Sequence, residues 1–410
     1  MSLDSETKYV ILVPDGMADS SAAEIAEGSP LKVARTPWMD KVASAGMIGL
    51  TRTVPDGMEA GSDVANLSIM GYPPAQVYTG RAPFEAASMG VYLAEDDLAF
   101  RLNLVTLERN FTVMADHSSD HISTQEAHAL IGAVEPIIDR LGLLVYPGIS
   151  YRNLLVWKGG PDGIVTHAPH DFPGDLLAGR LPSGAGADVL LRIIIQSWKI
   201  LENHPVNQRR VGRCQGPGNS VWPWGQGRRP KIKTLTERFG VRGTVVAAVD
   251  LVRGIGKYAG LHVADVPGAT GYLDTNYQGK VEAALNALET QDLAFLHVEA
   301  PDEAGHSGQK DLKVKAIEDF DEKIVGPVLK GLEKFPKWRM LIMPDHCTPI
   351  ATRKHSAEPV PFALLDSSQW GQAGATAPRT LSEKDAAASG RLVDEAAIMI
   401  EFLLGAQNLQ

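Results

Sequence analysis

Three carboxylates, three imidazoles and one serine in this 410-residue chain have the types and positions to act together. Asp15 directly follows an apolar run in Val13-Pro14-Asp15-Gly16, Asp302 and His306 follow another in Ala300-Pro301-Asp302-Glu303-Ala304-Gly305-His306, and Asp345-His346 end a third in Met343-Pro344-Asp345-His346. His355 lies nine residues beyond His346. A mixed oxygen and nitrogen set of this kind suits manganese, zinc or magnesium rather than calcium, whose sites are built from oxygen alone. Any one of these residues alone carries little information, because a lone histidine has many roles. Placed together, buried carboxylates need cations as partners. Ser62, in Gly61-Ser62-Asp63-Val64-Ala65-Asn66, precedes a helical pattern, and at a helix N-terminus its hydroxyl would meet backbone N–H groups suited to a phosphate. Taken without the metal ligands, Ser62 reads better as an N-cap. Cys347, beside His346, is read as a small buried residue rather than a ligand.

The elements that must position these groups are four short runs rich in branched residues: Tyr9 to Val13, Thr244 to Val249, Leu293 to Val298 and Met340 to Met343. Such runs fit buried strands of a parallel sheet covered on both faces. Helical patterns over Lys280 to Thr290, Leu312 to Leu332 and Val393 to Leu404 give the alternation of an α/β fold with a doubly wound sheet. The candidate ligands then fall outside the carboxyl ends of the strands, where open α/β sheets bind ligands. Between 88 and 227 the strand signals weaken, a helix is expected over Ala187 to Asn203, and a long Gly-, Pro- and Arg-rich loop is expected from His204 to Pro230. This segment reads as an inserted cap domain, with 1–87 and 228–410 forming the core.

A net charge of −10 and a pI near 5.6 exclude the basic face that nucleic-acid or anionic-membrane binding needs. Two cysteines, Cys214 and Cys347, lack metal-ribbon spacing and fit a reducing compartment. The polar, acidic start Met1-Ser2-Leu3-Asp4-Ser5-Glu6 does not look like a secretory leader, and the expected location is the cytoplasm. Symmetric oligomers are common, so a homo-oligomer stays open.

The blocks around Asp15, Ser62, Asp302 with His306, and Asp345 with His346 resemble the active-site segments of the alkaline phosphatase superfamily. Further segments are similar to the archaeal-type, cofactor-independent phosphoglycerate mutases: Tyr78-Thr79-Gly80-Arg81-Ala82-Pro83, His167-Ala168-Pro169-His170-Asp171, Asn219-Ser220-Val221-Trp222-Pro223-Trp224-Gly225 and Ala269-Thr270-Gly271-Tyr272-Leu273-Asp274-Thr275. The resemblance implies an alkaline-phosphatase-like doubly wound core with an inserted α+β cap. It implies two divalent metal ions, one on Asp302, His306 and His355 and the other on Asp15, Ser62, Asp345 and His346. It also implies exchange of 3- and 2-phosphoglycerate through a phosphoserine at Ser62, without 2,3-bisphosphoglycerate. Arg152, Arg253, Lys257 and Lys280 are candidates for gripping the anionic substrate, with His170 and Asp171 for proton transfer or orientation. The segment Met114 to Ser123 has Ser119-Asp120 where the family shows a small Ala-Gly step. Resemblance to bacterial relatives proposed as homoserine kinases keeps a phosphatase or phosphotransferase acting on another small alcohol as the alternative. A sulfatase is disfavoured, because Ser62 is followed by Asp63-Val64-Ala65-Asn66 rather than the C/S-x-P-x-R setting.

Overall fold

A computed structural model describes residues 6–19, 28–370 and 379–406. Met1 to Ser5, on which the leader reading rests, lie outside the described residues. The chain forms two compact units, one of residues 1–78 and 231–410 and one of residues 79–230.

The four apolar runs are neighbouring strands in the first unit. Thr7–Pro14 pairs in parallel with Leu293–Val298 on one side and Lys337–Ile342 on the other, and Gly243–Val246 adds in parallel to Leu293–Val298. Val10, Ile11, Leu12 and Val13 are all 0% exposed, so successive side chains on opposite faces of the strand are covered. This explains why these strands read as continuous apolar runs rather than alternating ones. The eight-stranded sheet is mixed, because Val360–Asp366 joins Lys337–Ile342 antiparallel and in turn pairs antiparallel with Met47–Thr51. Helix Tyr277–Thr290 begins three residues before its expected start. The pattern from Leu312 divides into helices Lys310–Phe320 and Gly326–Leu332 around a wider turn at Asp321–Val325. The last helix starts at Met399 rather than Val393, because Leu392–Val393 is a short strand beside Met47–Thr51.

In the second unit, Leu98–Glu108 pairs antiparallel with Val113–Asp116, Arg152–Trp157 and Ser220–Gly227, and Leu143–Tyr146 extends the sheet from Arg152–Trp157. Helices Thr124–Arg140 and Ala187–Leu201 contribute Leu130, Ile131, Leu190 and Ile193 to a core shared with Phe100, Leu102 and Leu155. Two expectations need correction here. The unit begins at Thr79, not at 88, because helix Ala82–Ser88 buries Ala82 and Ala86 against Ala99, Leu154 and Val156. The expected loop His204–Pro230 holds a helix, Pro205–Gly212, and a strand, Ser220–Gly227. Its Trp222 is fully buried and its Pro223 lies opposite Leu102, so packing against Leu98–Glu108 overrides a composition that reads as loop.

The central parallel strands carry the stability of the first unit. Leu296 is 0% exposed at the middle of Leu293–Val298, and Leu296→Ala should cost about 2–5 kcal/mol. Denaturant unfolding measures this as a lower midpoint; an unchanged midpoint would contradict the assigned packing.

Candidate active site

The parallel register brings the carboxyl ends of three strands to one edge. Pro14 lies opposite Val298, Asp15 N donates to Val298 O at 2.9 Å, and Met343 N donates to Leu12 O at 3.2 Å. Asp15, the helix after Val298 and the Pro344-Asp345-His346 turn therefore leave the sheet together. Gly16 makes the first turn possible. It has φ +60, its N–H donates to Asp345 Oδ1 at 3.1 Å, and a Cβ there would lie 2.5 Å from both Asp302 Oδ1 and Thr348 Oγ1. Helix Ala300–Ser307 places Asp302 and His306 one turn apart on one face, with Asp302 Oδ2 3.1 Å from His306 Nε2.

Two ligand clusters result, Asp302 with His346 and His355, and Asp15 with Asp345 and His346, the donor atoms of each lying within 4.8 Å of one another. His306 adjoins the first cluster, its Nε2 2.9 Å from His355 Nε2, while its Nδ1 lies 2.9 Å from Arg353 O. Ser62 is the first residue of helix Ser62–Ile69, and Gly61, not Ser62, is the N-cap. The Ser62 hydroxyl is thus not used in capping; it lies 3.2 Å from His346 Nε2. All seven candidate ligands converge, and Cys347 turns away, its Sγ 3.9 Å from Glu358 O and its thiol pKa raised by burial.

The electrostatics of this edge call for cations. Burial, with Asp345 and Asp302 close by, raises the Asp15 carboxyl well above its usual range, and Asp15 Oδ1 has no hydrogen-bond partner among the described residues. Burial would also raise Asp302, but hydrogen bonds from His306 and His355 outweigh it and hold it well below. The same contact with Asp302 lifts His306 to about 9, against the opposing effect of burial. Burial lowers His346, leaving it neutral. Orphaned and mutually repelling carboxylates beside neutral imidazole nitrogen fit divalent cations of the borderline class.

Three residues of the site carried no motif signal. Asn66 donates through Nδ2 to Ser62 O and to Asp345 Oδ2, both at 2.9 Å; only its place one turn after Ser62 could have pointed to it. His297, 0% exposed, places Nε2 3.1 Å from Asp15 Oδ2, and burial lowers it to about 4. Thr348 lies between Asp302 and His346. The expected substrate-gripping residues belong to both units. Lys280 is 1% exposed and donates to His297 O at 3.2 Å, so it supports the ligand-bearing strand from beneath rather than gripping a substrate. Arg253 and exposed Lys257 share helix Asp250–Tyr258, with Arg253 Nη1 3.4 Å from Ala264 O.

Arg152 is exposed in the second unit, its guanidinium 5.6 Å over the Tyr151 ring. That unit gathers its own cations. Arg101, 2.9 Å from Glu85, stacks 4.2 Å over Trp224, whose ring centroid lies 4.9 Å from that of His170. Burial lowers His170 to about 4, with Arg101, Arg81 and His117 adding to the effect, while Asp171, 3.7 Å away, opposes it. His121 is exposed and its ring centroid lies 6.2 Å from that of Tyr151.

A serine at a helix N-terminus beside paired carboxylate and imidazole clusters, at the carboxyl ends of the parallel strands of a mixed sheet, is the arrangement that the resemblance to the alkaline phosphatase superfamily implies. Residues 43–207 match the family model described as 2,3-bisphosphoglycerate-independent phosphoglycerate mutase. A Methanosarcina acetivorans protein of that name is 51% identical over 360 residues, 87% of this chain and 90% of its own. A Geobacter sulfurreducens protein named "Probable 2,3-bisphosphoglycerate-independent phosphoglycerate mutase" is 48% identical over 97% of this chain and 99% of its own. Among solved structures, the PH0037 protein of Pyrococcus horikoshii superposes with a TM-score of 0.79 at 30% identity, covering 98% of each chain. The chain belongs to the 2,3-bisphosphoglycerate-independent phosphoglycerate mutase family.

The raised pKa of His306 sets the pH response of the metal-free site. The His306–Asp302 contact contributes stability fully present below about 6.5 and lost as pH rises through about 9. A cation ligating His306 must displace that proton. Manganese titrated calorimetrically into metal-free protein near neutral pH, in buffers of different ionisation enthalpy, should release at least one proton. Binding with no proton release would contradict this charge state.

Proposed function

We propose that this chain interconverts 3-phosphoglycerate and 2-phosphoglycerate with Ser62 as the nucleophile, using two divalent ions and no 2,3-bisphosphoglycerate. The observation that carries the reading is the Ser62 hydroxyl, released from capping by Gly61 and 3.2 Å from His346 Nε2 beside both ligand clusters. By the family resemblance, Asp302, His306 and His355 hold one ion, and Asp15, Ser62, Asp345 and His346 the other; manganese, zinc and magnesium all suit this mixed oxygen and nitrogen set. Ions bound there would supply positive charge against the phosphoryl oxygens and favour ionisation of the serine hydroxyl.

The protein's own groups supply the rest. Ser62 Oγ forms a bond to phosphorus as the bond from phosphorus to the C3 oxygen of phosphoglycerate breaks, leaving phosphoserine and glycerate. The C2 oxygen of the retained glycerate then takes the phosphoryl group back and frees Ser62. The N–H groups of the first turn of Ser62–Ile69 favour the negative charge gathered at that residue. Asn66 fixes the first turn to Asp345 and so holds Ser62 in register with the ligands. By the resemblance, His170, which burial keeps neutral near pH 7, and Asp171 beside it are the proposed pair for proton transfer or orientation.

Purified protein supplied with 3-phosphoglycerate and manganese, in an enolase-coupled assay without 2,3-bisphosphoglycerate, should form 2-phosphoglycerate with little free phosphate. Asp302→Ala should lower the rate by at least about 100-fold, as expected when a group stabilising transition-state charge is lost. Phosphate release in step with substrate loss would replace the mutase reading by a phosphatase.

A further inference from the structure

Thr348 is 0% exposed, and its hydroxyl touches both ligand clusters. Oγ1 hydrogen-bonds Asp302 Oδ1 and lies 3.2 Å from His346 Nδ1. The proton count leaves one arrangement. The Thr348 hydroxyl donates to Asp302 Oδ1, so its single O–H proton is spent there. The threonine oxygen then has lone pairs alone to offer His346, which must carry its proton on Nδ1. The ring consequently presents an unprotonated Nε2 to the Ser62 hydroxyl at 3.2 Å and toward Asp15 Oδ1 at 3.5 Å. A neutral His346 with the opposite tautomer would face Thr348 lone pair to lone pair and direct an N–H at the ligand cluster.

The surroundings hold Thr348 in place. Lys313, 0% exposed on helix Lys310–Phe320, donates from Nζ to Thr348 O at 2.8 Å, to Ala18 O at 3.2 Å and to Asp19 Oδ2 at 2.9 Å. Thr348 N donates to Ala18 O at 3.1 Å, and Asp19 Oδ1 accepts from Ile350 N at 2.9 Å. The turn after Asp15 and the turn after His346 are thereby clamped to one ammonium group. Two glycines clear space for the threonine: a Cβ on Gly16 would lie 2.5 Å from its Oγ1, and one on Gly305 would lie 2.7 Å from its carbonyl oxygen.

We propose that Thr348, anchored by Lys313, is a positioning residue that locks the tautomer of His346 and the orientation of Asp302 at once, so that the two clusters are set by one hydroxyl. This rests on the metal-site reading above, but its first test needs neither metal nor substrate. Long-range proton–nitrogen correlation spectra of metal-free, histidine-labelled protein near neutral pH, with His346 assigned by a His346→Gln variant, should show His346 protonated at Nδ1 alone. Protonation at Nε2 in the unaltered protein would overturn the proposal, whether or not phosphoglycerate is the substrate. Thr348→Val keeps the shape and removes the hydroxyl; it should abolish the fixed tautomer and weaken manganese binding about 10–100-fold, measured by the spin resonance of the free ion. Thr348→Ser should restore both. Unchanged tautomer and affinity in Thr348→Val would overturn the proposal, as would their loss in a folded Thr348→Ser.

Discussion

The site is organised around one constraint: Asp15, Asp302 and Asp345 are buried around His346 at the carboxyl ends of the parallel strands. Like charges so placed cannot all be ionised without compensation, and the neighbouring side chains compensate unevenly. Asp302 takes hydrogen bonds from His306 and His355, Asp345 accepts from the N–H groups of Gly16 and His346 and from Asn66 Nδ2, and Asp15 is left with a raised pKa and an oxygen without a hydrogen-bond partner among the described residues. A fold that tolerates this arrangement is prepared for cations, because positive charge removes the repulsion that burial magnifies.

The parallel sheet is what allows the constraint to be met without distortion. Strands in parallel register end together, so residues distant in sequence arrive at one edge with their turns aligned. Gly16, with positive φ and no room for a side chain, lets the first turn lie against Asp302 and Thr348. Lys313 and Asn66 then tie these turns, and the serine helix, to a common frame. The catalytic groups therefore rest on rigid elements, with hydrogen-bonded supports behind them, as precise positioning requires.

Much of this was legible in the sequence because Asp15, Asp302 and Asp345 each follow a strand that announces itself. Tyr9 to Val13, Leu293 to Val298 and Met340 to Met343 are unmistakably apolar, and acidic residues and histidines directly after them stand out. Ser62 was visible through its Gly-Ser step, although its neighbour proved to be the cap. The supports were not legible. Thr348, Asn66 and Lys313 are ordinary residue types whose significance comes from contacts spanning 46, 279 and 294 positions. Lys280 illustrates the converse: a lysine in sequence reads as an exposed cation, and only its packing beneath His297 shows that it is buried. Strand Ser220–Gly227 was hidden by glycine and proline, since its identity depends on pairing with Leu98–Glu108.

The central claim is that Ser62 carries the phosphoryl group between the two hydroxyls of glycerate. Rapid quenching of the manganese-loaded protein during turnover of phosphate-labelled 3-phosphoglycerate, followed by peptide mapping in a mass spectrometer, tests it directly. The account predicts labelled phosphoserine at Ser62 in the wild-type protein, and neither label nor turnover in Ser62→Ala. Turnover by Ser62→Ala, or a label on another residue, would contradict it.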